Sequence, residues 1–166
     1  RSEGQRRRFA SGLAAYAPLR YVLPHKQAAY DAKYSTRLRG GEGFFRQVDR
    51  EESLIHLLRV NVLKRMESAI PSFTLTVKRQ LDDVDALLAR IEESPEEVEE
   101  VEIEDVDLDD PAFESLLVGS KVKVLLKDVD QIRWKQDLNA DHDRLTRLYT
   151  AARQINAARD AKLAAL

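Results

Sequence analysis

A chain of 166 residues, 43% apolar and 34% charged, can build one domain with a sizeable core and long helices with solvated faces. It has no cysteine, which excludes a disulfide framework and cysteine-based metal sites and fits a reducing, cytoplasmic compartment. No run approaches the roughly 20 apolar residues that cross a bilayer, so a membrane partner is not expected.

The net charge of −2 conceals strong segregation. Residues 1–50 hold 11 basic and 4 acidic residues, and residues 51–90 hold 6 of each. Residues 91–110 hold 12 acids and no base, and residues 111–166 hold 10 basic residues against 7 acidic ones. Blocks of this kind mark solvated linkers or electrostatic contact surfaces. The chain starts on an arginine and still reads as helix at its last residues, the pattern of an excised piece of a larger protein.

In chain order, Arg6-Arg7-Arg8 is a solvated basic tail or a phosphate contact. Weak helical character follows up to Pro18. Tyr16, Tyr21, Tyr30 and Tyr34 are four of the five tyrosines. Pro24 suits the first turn of a helix over residues 25–37, where Tyr30 and Tyr34 lie one turn apart beside Lys26, Lys33 and Arg37. Interleaved aromatic and basic residues either stack on nucleic acid or cover a helix seam, and the second is the commoner use. Gly40-Gly41-Glu42-Gly43 ends that helix as a turn; it lacks the Gly-Lys-Ser/Thr ending of a phosphate-binding loop.

Residues 49–91 form one long helical pattern, capped by Asp49 with Glu51 and Glu52 in its first turn. Apolar residues recur every three or four positions from Leu54 and Leu58 through Phe73 and Val77 to Ile91. Pro71 falls inside the run and is expected to kink it, since the seam stays in phase on both sides. Asn61, Arg65 and Ser68 make a polar stripe beside the seam, next to Lys64 and Glu67. Residues 91–111 read as an acidic flexible linker, because like charges, Pro95 and Pro111 oppose stable structure; the alternative is an acidic strip that docks on the basic N-terminal third or mimics nucleic acid. Phe113 to Leu117 suits a helical turn, and Val122, Val124 and Leu126 alternate like a short strand. From Asp128 onward a second long helix carries Trp134, Leu138, Asp141, Leu145, Leu148, Ala152 and Ile155 at heptad spacing.

The expected fold is therefore all-α: a long kinked helix packed antiparallel against a second long C-terminal helix, with shorter N-terminal helices and the acidic linker, in one domain over residues 1–166. Nothing in the sequence assembles a catalytic, cofactor or metal site. Asp141-His142-Asp143 are adjacent on a helix and point in different directions, so they do not converge on one ion.

The strings Tyr16-Ala17-Pro18-Leu19-Arg20-Tyr21, Leu23-Pro24, Tyr30-Asp31 and Gly40-Gly41 resemble a region of bacterial Snf-type helicase-like ATPases of the DEAD/DEAH-related superfamily 2. So do Asp49-Arg50-Glu51-Glu52-Ser53-Leu54, Val60-Asn61-Val62-Leu63-Lys64-Arg65-Met66-Glu67-Ser68 and Phe73. Asp128, Asp130, Trp134, Leu138, Asp141, Leu145 and Asp160-Ala161-Lys162-Leu163 look like its closing part. The family's usual second serine is Ala69 here, and Pro71 is a further departure. The resemblance implies a helical region between two RecA-like motor lobes that bind ATP and magnesium and move along double-stranded DNA. It implies that this chain braces those lobes without ATPase activity of its own, since it carries no Walker-type loop. Arg59, Lys64 and Arg65 are then candidates for contacts to phosphates or to the lobes, and Asn61, Glu67, Ser68, Phe73 and Trp134 are structural. The isolated chain is expected to be a monomer. The competing expectation is a coiled-coil interaction or dimerisation module unrelated to nucleic acid.

Overall fold

A computed structural model describes residues 14–34, 36–37, 44–45, 47–99 and 122–165. The protein is mostly helical, as the sequence predicts. Helix α1 spans Gln27–Tyr34, α2 Gln47–Ser68, α3 Ile70–Glu92 and α4 Gln131–Ala164. Short antiparallel pairs join strands β1 (Thr36–Arg37) to β2 (Phe44–Phe45), and β3 (Glu97–Glu99) to β4 (Lys123–Leu125). Among the described residues no helix is long and apolar enough to cross a membrane. The tripeptide Arg6-Arg7-Arg8, the glycines from Gly40 to Gly43 and the turn expected at Phe113 to Leu117 lie outside the described residues.

The long seam is two helices, not one kinked helix. Ala69 is extended (φ −156°, ψ 107°) and interrupts the helical run for one residue. Its N–H closes the last turn of α2 on the Arg65 carbonyl at 2.8 Å, and its carbonyl accepts from Phe73 N–H at 3.0 Å to open α3. The chain folds back there. Arg65 Nη1 donates to Thr76 Oγ1 at 2.8 Å, although eleven residues of continuous helix would hold them roughly 16 Å apart. Pro71 sits in the first turn of α3, where its missing N–H has no carbonyl to serve and the ring does not disturb the helix.

Helices α3 and α4 run antiparallel in the expected sense. Their ladder advances by heptads: Lys135 Nζ lies 3.0 Å from Glu92 Oε1, and His142 Nε2 lies 3.0 Å from Asp85 Oδ1. Below them Lys78 Nζ stands 5.7 Å from the Tyr149 ring centre, and Asn156 Nδ2 donates to Thr74 Oγ1 at 3.1 Å. The buried seam contains Phe73, Val77, Leu81, Val84, Leu87 and Ile91 on α3 and Trp134, Leu138, Leu145 and Ala152 on α4. Leu54, Ile55 and Leu58 complete it from α2. Leu148 and Ile155, placed in the seam by heptad spacing, are 44% and 48% exposed.

Four boundaries differ from the sequence reading. The helix expected over residues 25–37 is α1, Gln27–Tyr34, preceded by a 3-10 turn at Pro24–Lys26 and followed by strand β1, which takes Arg37. Helix α2 begins at Gln47, so Asp49 lies inside its first turn instead of capping it. Helix α4 begins at Gln131 and is capped by Asp130, whose Oδ1 accepts from Arg133 N–H at 3.1 Å. The start of the acidic block is a strand: Val98 is buried opposite Val124, while Glu97 and Glu99 stay exposed. Alternation of apolar and acidic residues suits a strand with one buried face, and β4 supplies the buried partner.

Residues 14–23, where the sequence shows only weak helical character up to Pro18, form a strap of short 3-10 turns wedged between α2 and α4. Ala14, Ala15, Ala17, Leu19 and Tyr21 are buried there. The strap ends in an isolated β-bridge between Val22 and Val129, with Leu23 N–H on the Asp128 carbonyl at 2.7 Å.

Candidate functional site

The strap has few backbone partners of its own, so side chains of all three long helices satisfy it. Ala14 N–H donates to Asp141 Oδ2 on α4 at 2.8 Å, and Trp134 Nε1 donates to the Ala14 carbonyl at 3.1 Å. The Tyr16 hydroxyl reaches Asp83 on α3 at 2.7 Å, and Leu19 N–H reaches Glu51 on α2 at 3.4 Å. Tyr21 stacks on Trp134 with ring centres 5.7 Å apart, and its hydroxyl donates to Asp137 at 2.8 Å. Asp141, only 1% exposed, is the one polar residue in the α4 seam, and the strap amide accounts for it.

Tyr30 and Tyr34 are packing residues, stacked with centres 6.4 Å apart. The Tyr34 hydroxyl both accepts from Lys123 N–H (2.9 Å) and donates to its carbonyl (3.1 Å), standing in for a neighbouring strand along β4. The Tyr30 hydroxyl accepts from Leu125 N–H at 3.0 Å and donates to buried Asp128 at 2.9 Å.

The three candidate contact residues of α2 do not converge. Arg59 is half-buried on the side of α4. Burial lowers its pKa, the charges of Arg20 and Arg144 add to that, and Asp141 opposes it. Arg65 is half-buried and turned to α3, where its guanidinium pins the hairpin. Lys64 is exposed between them. Of the structural candidates, Phe73 and Trp134 are buried, Asn61 is half-buried and Glu67 is exposed; the Ser68 side chain lies outside the described set.

Asp141, His142 and Asp143 do not gather around one point: Asp141 faces the strap, while His142 lies between Asp85, 3.0 Å from its Nε2, and exposed Asp143, 3.8 Å from its Nδ1. Among the described residues no group of three or more acids or histidines is placed to hold a metal ion.

Sequence reasoning missed two features. The first is the strap and its acidic anchors, whose contacts span up to 127 residues and leave no local pattern. The second is a cluster on the other side of α4. There Lys78 Nζ and Arg153 Cζ lie 5.7 and 5.6 Å from the centre of one ring, Tyr149. The charge map held its signal, since the third of the chain containing Arg153 is basic.

No family model, curated protein or solved structure matches this chain.

Proposed function

We propose that the chain is a helical brace between the two motor lobes of an Snf-type, ATP-dependent DNA translocase. The reading rests on the Asn61–Ser68 motif and its flanking strings. One geometric observation supports it: the motif lies on a helix clamped at both ends. At one end Glu51 holds the strap, and at the other Arg65 bonds α3 across the turn. Such a hairpin moves as a stiff body and suits transmission of lobe closure. ATP and magnesium belong to the lobes, and this chain takes no chemical step. Arg59, Lys64 and Arg65 are the proposed contacts to the lobes or to duplex DNA.

The flanking reading frame tests this directly. Phosphate-binding motifs of a first motor lobe before Arg1 and a second lobe after Leu166 are the expected result; a frame without them overturns the proposal. A second reading, a dimerisation module, draws on the half-exposed seam residues Leu148 and Ile155. Light scattering that finds a concentration-independent monomer removes it.

A further inference from the structure

One strip of α4 is covered along only half its length. Asp137 and Asp141 stand on it and hold the strap through the Tyr21 hydroxyl and the Ala14 amide. Leu148 and Ile155 follow Asp141 at steps of seven, which keeps them on the same strip about 10 and 21 Å further along the helix. The strap runs from Val22, bridged to Val129, up to Ala14 at Asp141, and among the described residues it goes no further. Both apolar side chains beyond it are about half exposed. Helix α2 continues the pattern. Arg59 lies within electrostatic reach of Asp141 and Arg144, so its side of α2 is turned toward this strip. Leu63 and Met66 stand four and seven residues beyond Arg59 on that side, and both are exposed. Helix α3 packs on α2 and on α4. The two apolar rows therefore flank one stretch of the gap between α2 and α4, beyond the strap and short of the turn at Ala69. The surroundings are basic: residues 59–79 and 144–165, brought to one end by the hairpin and the antiparallel ladder, hold ten lysines and arginines against two acids, Glu67 and Asp160. Eight of the ten cations are exposed, and two of these, Arg144 and Arg147, precede Leu148 by four residues and by one.

We infer that this stretch is a docking groove for an acidic amphipathic helix of a partner protein. The gap between two helices that both pack on a third is where a bundle adds a further helix. Leu148 and Ile155 are spaced, at about 10 Å, like the i and i+7 anchors of a helix lying alongside them. The apolar rows supply burial, and the cations around them select the sign of the partner's charge. Charge also separates this occupant from its two competitors. A second copy brings the same basic end against itself, and like charges set face to face oppose association. The chain's own residues 1–13, which lead into the strap at Ala14, offer Phe9 and Leu13 but hold four arginines against one acid, Glu3, and meet the same opposition. An acidic helix is attracted along the whole stretch. The groove goes beyond the brace reading and stands without it, on charge and geometry alone.

The test is fluorescence anisotropy of a labelled synthetic peptide of about 18 residues titrated with the full chain, with leucine at every third or fourth position and glutamate at most others. One control peptide carries lysine in place of glutamate. The other keeps the composition but scatters the leucines round the helix. The acidic amphipathic peptide is expected to bind about tenfold more tightly than either control. Leu148→Asp/Ile155→Asp is expected to weaken it about tenfold. Arg144→Glu/Arg147→Glu is expected to weaken it about fivefold and to strengthen the lysine peptide. Circular dichroism is expected to match the parent for both variants, and if the first loses helix the charge reversal decides alone. The proposal is overturned by no binding of the acidic peptide at about 1 mM, by equal binding of the scattered control, or by a charge reversal that changes nothing. Two further outcomes give the groove to another occupant and overturn it as well. A parent that binds no peptide while its Phe9→Asp variant does assigns the groove to residues 1–13. A parent that is dimeric by light scattering, and monomeric as Leu148→Asp/Ile155→Asp, assigns it to a second copy. None of these results bears on the brace reading, which the flanking reading frame decides.

Discussion

Tyr21 shows how much one side chain carries. Its ring lies between Trp134 and the Arg133 guanidinium, the latter 5.0 Å from the ring centre, and its hydroxyl ends on Asp137. Burial, followed by the Asp137 carboxylate, pushes its phenol well above the ordinary value of 10.0. Burial, with Asp128 beside it, raises Tyr30 too, against the opposing effect of the Leu125 amide. In the unfolded chain both phenols lose their protons near pH 10, while in the folded protein they keep them. The unfolded state then binds fewer protons, so this contribution to stability is complete below about pH 10 and falls as pH rises further. Thermal melts by circular dichroism are expected to be flat from about pH 7 to 9 and to drop beyond 10. Tyr21→Phe lowers the melting temperature at neutral pH, because Asp137 loses a donor, and makes the alkaline fall shallower. An alkaline slope equal to that of the parent would remove Tyr21 as its cause.

At the scale of elements, the break at Ala69 decides the architecture, and the sequence marks it poorly. Met66, Ile70 and Phe73 keep steps of four and three across it, because one extended residue changes the direction of a helix without changing the spacing. Pro71 is the legible sign, and its place in a first turn is where proline is favoured. Apolar period therefore located most of the core, including Leu54, Leu58, Phe73, Val77 and Ile91, yet gave no information on whether the two halves run on or fold back. The turn is also imperfect as a cap. Ala69 occupies the N-cap of α3 with no side-chain acceptor, so the Ser72 amide at the third helical position has no capping oxygen from it. Ala69→Ser supplies that oxygen. It is expected to stabilise by about 1 kcal/mol, which for this chain length raises the melting temperature by about 2–4 °C. Scanning calorimetry measures it; a lowered melting temperature would mean that the turn does not tolerate the hydroxyl.

For the whole molecule, the strap of residues 14–23 makes one unit of three helices. Its bonds to Glu51, Asp83, Asp137 and Asp141 tie α2, α3 and α4 to a segment that has little structure of its own. None of this was legible in the sequence. The acids looked like seam exceptions or solvated charges because their partners are backbone amides and phenols far away in the chain. Helical spacing did not show how the candidate contacts are placed: Lys64 is exposed, Arg59 is half-buried toward α4, and Arg65 bonds Thr76 across the hairpin. The strap's role is measurable through the single tryptophan, Trp134, which is buried against Ala14 and Tyr21. If the strap belongs to the cooperative core, Trp134 fluorescence and far-ultraviolet helicity change in one coincident thermal transition. Asp141→Ala removes the buried acceptor of the Ala14 amide, at a cost of about 1–3 kcal/mol. It should lower that transition by several degrees without splitting it. A fluorescence change that precedes the loss of helix, in the parent or the variant, would show instead that the strap detaches first from helices that stand without it.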